Sequence, residues 1–303
     1  MHAGGSLAQL FKDSDVTVHP GSRERGTLGL GAVLRLARLA RRFDLVHTHL
    51  FAGDTWGRLA AAIVRAPIVT TEHNVNRDEG RHHRGIKRSL ARWTDRLVFV
   101  SQAARRYAEE VEGICHPHSR VILNGVGLTR LRLAAPGPGT RFLAVGRDTP
   151  QKGFDLLLNA LPEGVTLRIA GASKRTGVQH RNGARIEWLG ERADVPDLLA
   201  DTDVLVVPSR WEGFGLAAVE GMAAGVTVVA SEVDALPEVL GGAGVLVQSG
   251  DLTALRAALT RVRDDAPLRA RCAAAGRARS TAFSIGRCAD EYAGLYAETV
   301  GLR

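Results

Sequence analysis

The run VLVVPSRWEGFGLAAVEGMAAG, residues 204–225, contains a strand, a glycine-containing loop and a helix in direct succession. Residues 204–207 are all aliphatic and predict a short buried strand, and residues 215–224 predict the helix that follows it. Another run, residues 227–230, predicts the next strand. Because strands that alternate with helices form parallel sheets covered on both faces, this stretch predicts an α/β fold.

The same alternation extends over the rest of the chain. Apolar runs predict strands over residues 45–47, 68–70, 97–100, 121–123, 141–146, 166–170 and 185–188. Amphipathic runs predict helices over residues 30–42, 56–65, 86–96, 154–160, 252–263, 267–279 and 285–300. Residues 133–139 contain two prolines and two glycines, which predicts a linker. The sequence therefore predicts two doubly wound domains, and ligands bind such sheets beyond the carboxyl ends of the strands.

The bulk composition is that of a globular protein and excludes several classes. The 303 residues are 45% hydrophobic and 24% charged, and no apolar stretch is long enough to predict a membrane-spanning helix. The first residues lack the basic and apolar regions of a signal peptide. Because the three cysteines are far apart and without CxxC spacing, we expect a cytoplasmic protein with neither a disulfide framework nor a zinc site.

Positive charge is concentrated in the N-terminal part of the chain. Residues 1–126 carry 19 Lys and Arg against 12 Asp and Glu, whereas the remainder carries 21 against 20. The densest segment is RHHRGIKR, residues 81–88. Such a segment is typical either of a solvated helix face or of a surface for anionic lipid, an anionic acceptor or nucleic acid. No basic–aromatic interleaving or DNA-reading motif is present, so we expect no nucleic-acid binding, while peripheral membrane contact stays open.

Two acidic residues, Glu212 and Glu220, lie on either side of the predicted helix start. Gly213 and Gly215 lie between them, where free backbone N–H groups and the helix dipole favour an anion and glycine permits close approach. This end suits a nucleotide diphosphate, and ionised carboxylates accept hydrogen bonds from ribose and sugar hydroxyl groups. Acidic residues are also common in a first helical turn, so the pair alone favours ordinary capping.

A second candidate anion site is the segment GRDTPQKG, residues 146–153, which follows one predicted strand and precedes a helix. Arg147 and Lys152 place two positive charges where a diphosphate leaving group needs neutralisation. The segment lacks the GxxxxGK[ST] order of a P-loop, and by itself it is typical of a solvated basic loop.

Taken together and in order, these segments resemble the retaining GT-B glycosyltransferases of family 4. The similar segments are PSRWEGFG at 208–215, EGMAAG at 220–225, ALPE at 235–238, GRDTPQKG at 146–153, DLVHTH at 44–49, TEH at 71–73 and VILNGV at 121–126. The resemblance covers most of the chain. It implies two Rossmann-like domains, residues 1–132 and 133–284, that face a cleft. It also implies a last helix, residues 285–303, that crosses back to the first domain.

The resemblance also implies the roles of individual residues. Glu220 is expected to bind the ribose of the nucleotide, Glu212 the donor sugar, and His73 to approach that sugar near the reaction centre. The full set of expected donor-binding residues is Arg147, Lys152, Gly213, Phe214, Gly215, Leu216 and Glu220, with His73 and Glu212 as the catalytic pair. The residues expected to border the base are Gly171, Trp188, Leu189 and Gly190.

The activity implied by the resemblance is transfer of a hexosyl group from a UDP- or GDP-sugar to an acceptor hydroxyl, with retention of anomeric configuration. The acceptor class stays open between a small molecule, a glycan and a lipid-linked sugar. The resemblance implies that no cofactor or metal is required, since the family needs none and Arg and Lys can neutralise the developing charge instead. Two alternatives stay open: an epimerase or phosphorylase of the same fold, and a non-catalytic or impaired nucleotide-sugar-binding protein.

Two other groups of side chains could suggest a metal. His47 and His49 share one face of a predicted strand, and Cys115 lies beside His116 and His118. A zinc site needs at least three protein ligands, and the sequence places no third ligand beside either group, so we expect no metal.

The start of the chain departs from the family's pattern. A strand–helix–strand opening takes roughly 30 residues, and it is not visible before the segments at residues 5–10 and 16–19 that resemble the family. We therefore expect an N-terminal domain without its first strand–helix–strand unit, through a late start or a truncation. Exposed strand edges would then favour a homodimer or an impaired activity. Gly127 is a smaller departure, because the family usually has Asp there.

Overall fold

The computed structural model describes residues 30–75, 77 and 80–301, together with five single positions before residue 30. The expectation about the opening of the chain therefore lies outside the described residues. Elements are numbered here from the first described helix.

The first sheet has four parallel strands in the order β1-β2-β3-β4. The strands are Val46–His49, Ile68–Glu72, Arg96–Phe99 and Ser119–Val121. Helices α1 to α4 are Leu30–Ala40, Leu50–Val64, Arg81–Ala91 and Gln102–Tyr107, and a π-helical turn, Ala108–Glu112, continues α4. Strand β2 is buried at all five positions, as an inner strand of a sheet covered on both faces must be.

The second sheet has seven strands in the order β11-β10-β9-β5-β6-β8-β7. The strands β5 to β11 are Arg141–Val145, Thr166–Ala170, Gly177–Arg181, Ala184–Gly190, Val204–Val207, Thr227–Ser231 and Val245–Val247. Helices α5 to α11 are Phe154–Ala160, Val195–Ala200, Leu216–Ala223, Leu236–Leu240, Leu252–Asp264, Ala266–Ser280 and Ile285–Gly301. All strand pairs are parallel except β7 with β8. The prediction of two parallel, Rossmann-like units is confirmed.

The elements that the sequence did not predict are short or exposed. Strand β7 is exposed at all five positions and pairs only with β8, so it carries no apolar pattern. Strand β11 and helices α4, α6 and α8 have three to six residues each, too few for a hydrophobic period to be recognised. Helix α3 begins at Arg81, five residues before the predicted start, so the basic segment forms its first two turns.

The chain passes between the two sheets at two adjacent places. The backbone N–H of Val126 donates to the carbonyl of Phe283 over 2.9 Å, and that of Ile285 donates to the carbonyl of Val126 over 3.0 Å. Beyond this point α11 packs on the first sheet, where Cys288 and Leu295 are buried against strand residues of β2, β3 and the segment after β4: Val69, Val98 and Ile122. Helix α11 therefore belongs, by its contacts, to the first sheet.

A buried ion cluster lies under the first sheet. Lys87 of α3 is 3.1 Å from Glu72 of β2 and 2.8 Å from Glu112 of the π-helical turn, and all three side chains are at most 8% exposed. Asp54 and Arg58 of α2 lie in the same region, and burial raises the pKa of Asp54 to about 7. Glu72 directly precedes His73, so this cluster supports the end of β2. Of the helices that the structure describes, none is long and apolar enough to cross a membrane.

Candidate active site

The candidate site lies where the carboxyl ends of β1 and β2 face those of β5, β6, β8 and β9. On the second-sheet side, the loops after β5 and β9 are held together by their backbones. The N–H of Arg210 donates to the carbonyl of Gln151 over 2.8 Å, and the Gln151 side chain donates to the carbonyl of Trp211 over 3.1 Å. Gly153 has a φ of +64°, and a Cβ there would overlap the carbonyl oxygen of Pro208. Glycine is therefore required for this approach.

Two of the predicted donor-binding side chains meet directly. The ammonium group of Lys152 donates to Oε2 of Glu212 over 2.6 Å, and the hydroxyl of Ser209 donates to the same oxygen over 3.2 Å. The backbone N–H of Glu212 donates to the carboxylate of Asp234 over 2.9 Å. The loop that carries Glu212 is thus fixed from both neighbouring strand ends.

Glu220 lies in α7, four residues from the helix start, and is half-buried. Burial raises the pKa of its carboxyl group, and among the described residues no side chain pairs with it. Arg147 is exposed directly after β5, and nothing in the described part of the chain pairs with its guanidinium group. Because burying a charged group without a partner is costly, the half-buried carboxylate of Glu220 is well suited to binding a polar ligand. The guanidinium group of Arg147 is accessible to the same ligand.

The loop that begins α7 offers its backbone rather than its side chains. Gly215 precedes the helix with a φ of +92°. Phe214 is buried and packs edge-on against Phe283 at a centroid distance of 5.7 Å, so its ring belongs to the core. Leu216, the first helical residue, is exposed. The backbone N–H groups of this helix start are the groups available to a sugar or a phosphate.

The residues predicted to border the base divide into two groups. The N–H of Gly171 donates to the carbonyl of Gly190 over 2.7 Å, so the loops after β6 and β8 lie side by side at the sheet edge. Trp188 instead has its ring in the core against Phe154, with the guanidinium carbon of Arg175 5.1 Å from the ring centroid. Leu189 and Gly190, both half-buried, are therefore the residues of that run that reach the edge.

On the first-sheet side, His73 follows β2 and bonds to a second histidine. Its Nε2 lies 2.7 Å from Nδ1 of His49, the last residue of β1. Burial lowers the pKa of His73, although Glu72 opposes the shift. Burial and the neighbouring His73 lower the pKa of His49 to about 4. Both rings are therefore neutral at pH 7.

The two sides touch at the predicted donor loop. A Cβ on Gly213 would overlap the carbonyl oxygen of His73, and the hydroxyl of Ser101 donates to the carbonyl of Gly213 over 2.7 Å. At the edge of this contact, Arg77 donates to Asp234 over 2.7 Å. The geometry therefore brings the backbone of His73 directly against the loop that carries Glu212.

Two family models match the chain, one described as "Glycosyltransferase Family 4" over residues 7–130 and one as "Glycosyl transferases group 1" over residues 139–265. The chain belongs to glycosyltransferase family 4. A phosphatidyl-myo-inositol mannosyltransferase of Mycobacterium leprae is 33% identical over 257 residues, which cover 77% of this chain and 68% of the relative. A glycogen synthase of Mycobacterium tuberculosis is 31% identical over 294 residues, covering 84% and 70%.

The fold is that of solved GT-B enzymes. The crystal structure of Anabaena HepE in complex with UDP and glucose superposes with a TM-score of 0.85, covering 98% of this chain and 90% of that chain at 22% identity. The resemblance inferred from the sequence is thus confirmed for family and fold, and the chain is a family 4 glycosyltransferase of GT-B architecture.

Several residues of this glycosyltransferase site were not predicted from the sequence. Asp234 follows β10 and could have been found by the rule that ligand-facing loops lie at carboxyl ends of strands. Ser101 follows β3 in the same way. Tyr292 and Tyr296, which bond to the first-sheet side, are about 220 or more residues away from their partners, and no sequence signal marks them. Within the described residues, no three His, Cys, Asp or Glu side chains are placed to hold a metal.

Proposed function

We propose that this glycosyltransferase moves a hexosyl group from a UDP- or GDP-sugar to an acceptor hydroxyl, with retention and without a metal. The observation that carries the proposal is the second-sheet side of the cleft. There the paired Lys152 and Glu212 lie on adjoining loops, Glu220 is half-buried without a protein partner, and Arg147 is exposed. HepE binds UDP and glucose, and the mycobacterial relative is a mannosyltransferase, which supports a hexosyl nucleotide.

In this proposal each charged group serves one part of the donor. Glu220 accepts hydrogen bonds from the ribose hydroxyls, and Arg147 and Lys152 neutralise the diphosphate. Glu212 and the backbone at the start of α7 hold the sugar, with His73 on the opposite side. Because Lys152 and Glu212 bond to each other over 2.6 Å, the donor has to share or replace this ion pair when it binds.

The reaction proposed is a front-face substitution. The acceptor oxygen forms a bond to the anomeric carbon on the face from which the diphosphate departs. The bond between that carbon and the phosphate oxygen breaks, and the acceptor proton passes to the departing phosphate oxygen. The positive side chains stabilise the charge that develops on this leaving group, a contribution that depends on fixed groups in a water-poor site.

The acceptor side of the proposal includes contact with a membrane surface. Helix α3 exposes Arg81, His82 and Arg88, of which Arg88 also donates to the carbonyl of Glu112, and buries the opposite face through Lys87 and Leu90. Basic residues on an amphipathic helix bind anionic lipid, and a lipid-linked acceptor would be presented there. Cosedimentation with anionic but not neutral vesicles is expected, and binding that is equal for both would refute the contact.

The activity is tested by incubating the purified protein with UDP-, GDP- and ADP-sugars and following donor hydrolysis, with the anomer of any transferred sugar determined by NMR. We expect hydrolysis of at least one UDP- or GDP-hexose and an α-linked product from an α-linked donor. If the protein binds a donor but turns it over with no acceptor, the result would favour a non-catalytic nucleotide-sugar-binding protein. An epimerised or phosphorolysed sugar would favour an epimerase or phosphorylase of the same fold. A folded protein that binds no donor would refute the proposal.

A further inference from the structure

Three histidines of the first-sheet side form one contiguous group. His47 and His49 lie on the same face of β1, with their ring centroids 4.0 Å apart, and the rings of His49 and His73 have centroids 5.0 Å apart. The proposed reaction uses only His73, so the two histidines of β1 have no assigned role.

The bond between His49 and His73 restricts the protonation of both rings. Two ring nitrogens 2.7 Å apart share one hydrogen, since one must donate and the other accept. With neutral rings, a proton on Nε2 of His73 requires Nδ1 of His49 to be bare, so that His49 carries its proton on Nε2. In the opposite case both protons are on Nδ1. The two rings therefore hold the same tautomer, whichever it is.

The group is braced from helix α11. Nδ1 of His47 lies 2.6 Å from the hydroxyl of Tyr296, and its Nε2 lies 2.8 Å from the hydroxyl of Thr71. The Thr71 hydroxyl in turn lies 3.0 Å from the hydroxyl of Tyr292. Both nitrogens of His47 are thus occupied, which fixes the ring that His49 contacts at an interplanar angle of 44°.

The backbone next to His49 is strained. Leu50, the first residue of α2, has a φ of +64°, a conformation that costs a non-glycine residue about 1 kcal/mol or more. Its side chain is 58% exposed, so its own packing does not stabilise this turn. This turn directly follows His49, which itself has an extended backbone and is placed beside the end of β2 by the strand register.

We propose that His49 is a positioning residue for His73: through the Nδ1–Nε2 hydrogen bond it fixes the orientation of the His73 ring and ties the tautomer of that ring to its own. The expected effect on turnover rests on the proposed function, whereas the hydrogen bond between His49 and His73 is independent of it. While the bond persists, Nδ1 is the ring nitrogen of His73 that remains for a ligand, because no described residue bonds to it. The tautomer then decides whether His73 donates to a sugar hydroxyl or accepts from it.

The test uses ring ¹⁵N spectra of the protein at pH 7, with signals assigned by substitution. In the wild-type protein, each of the rings of His49 and His73 should show one protonated and one bare nitrogen. The protonated nitrogen should be the same one, Nδ1 or Nε2, in both rings. In His49→Phe the two His73 nitrogens should move toward averaged shifts, because the tautomer of His73 is no longer tied to that of residue 49. His49→Asn, whose amide can occupy the Nδ1 position, should restore the separated pattern. The exposed His180→Phe is the matched control and should change nothing.

Different tautomers in the two rings, or an unchanged His73 spectrum in folded His49→Phe, would overturn the proposal. If His49→Phe does not fold, the wild-type tautomers and His49→Asn still decide it. In donor turnover, His49→Phe should lower kcat about tenfold at nearly constant KM, with partial recovery in His49→Asn. If His73→Ala leaves turnover unchanged, the function proposed for His73 fails, whereas the spectra still decide the bond.

Discussion

The two sides of the cleft are built in different ways. On the second-sheet side, the chemistry is charged and local: Lys152 and Glu212 lie on adjoining loops that glycines allow to approach closely, and Glu220 lies in the helix that follows the second loop. On the first-sheet side it consists of neutral rings, and the His47 and His73 bonds join residues separated by up to 249 positions. The proposed donor-binding residues thus lie close together in the sequence, on and next to the loops after β5 and β9. The histidine side depends on contacts with α11, which is distant in the sequence.

The largest expected effect breaks the support of the first-sheet side. Lys87→Met removes the ammonium group that lies between the carboxylates of Glu72 and Glu112, and all three side chains are buried. Removing one partner of a buried ion pair leaves uncompensated charge, and the free energy of unfolding should fall by about 3–5 kcal/mol. Chemical denaturation measures this, with the exposed Lys174→Met as the matched control. A loss as small as that of the control would mean that the cluster does not support β2.

The next effect concerns the charged side alone. Glu220→Ala removes the half-buried carboxylate proposed to bind the ribose, and hydrogen bonds to a charged group contribute about 1.5–3 kcal/mol. Nucleotide affinity, measured by calorimetry with UDP and GDP, should therefore fall about ten- to a hundredfold. The exposed Glu110→Ala should bind as wild type. Unchanged affinity in Glu220→Ala would remove the ribose role from this residue.

A third prediction compares two reasons for a glycine: close contact with another backbone, as at Gly153, and a left-handed φ angle alone, as at Gly164. Gly153→Ala places a methyl group on the carbonyl oxygen of Pro208, whereas Gly164→Ala meets nothing, although both glycines have left-handed φ angles of +64° and +76°. The free energy of unfolding should fall by about 1–3 kcal/mol more in Gly153→Ala than in Gly164→Ala, because only the first methyl group overlaps another atom. Gly153→Ala should also weaken donor binding. Equal losses in the two variants would show that the contact between the two loops contributes nothing.

The smallest expected effect is a pH dependence of the neutral side. Burial lowers the pKa of His47 to about 3 and that of His49 to about 4. Below about pH 6.5 the unfolded chain therefore binds protons that the folded chain does not, and stability falls as the pH is lowered from 6.5 toward 4. Asp54, with its raised pKa, acts in the opposite direction over the same range. Denaturation curves of His49→Asn should accordingly show a shallower acid slope than wild type, and an identical slope would contradict the assignment.

The difference between the sides also explains what could be predicted from the sequence. Arg147, Lys152, Glu212 and Glu220 could be predicted as donor-binding residues through the resemblance to the family, because each lies in a short local segment that resembles it, whereas the charge pattern alone favoured helix capping and a solvated loop. The strands of both sheets other than β7 and β11 were predicted because they contain or border aliphatic runs. The contacts of Tyr292 and Tyr296 could not be predicted, since they depend on how α11 returns to the first sheet. The His49–His73 bond depends on the register of β1 with β2, in which His49 lies opposite Thr71. Trp188 was expected near the base, but its ring fills the core, which a strand-end position alone does not reveal.

The central claim is that His73 acts in the transition state, whereas the residues of the second-sheet side bind the donor. Steady-state hydrolysis of the best donor by His73→Ala, measured over a range of donor concentrations beside His180→Ala, tests it. We predict that kcat falls at least about tenfold while KM stays within about twofold, as expected when a group acts in the transition state rather than in donor binding. A raised KM with an unchanged kcat would contradict the account, because His73 would then belong to the donor-binding side.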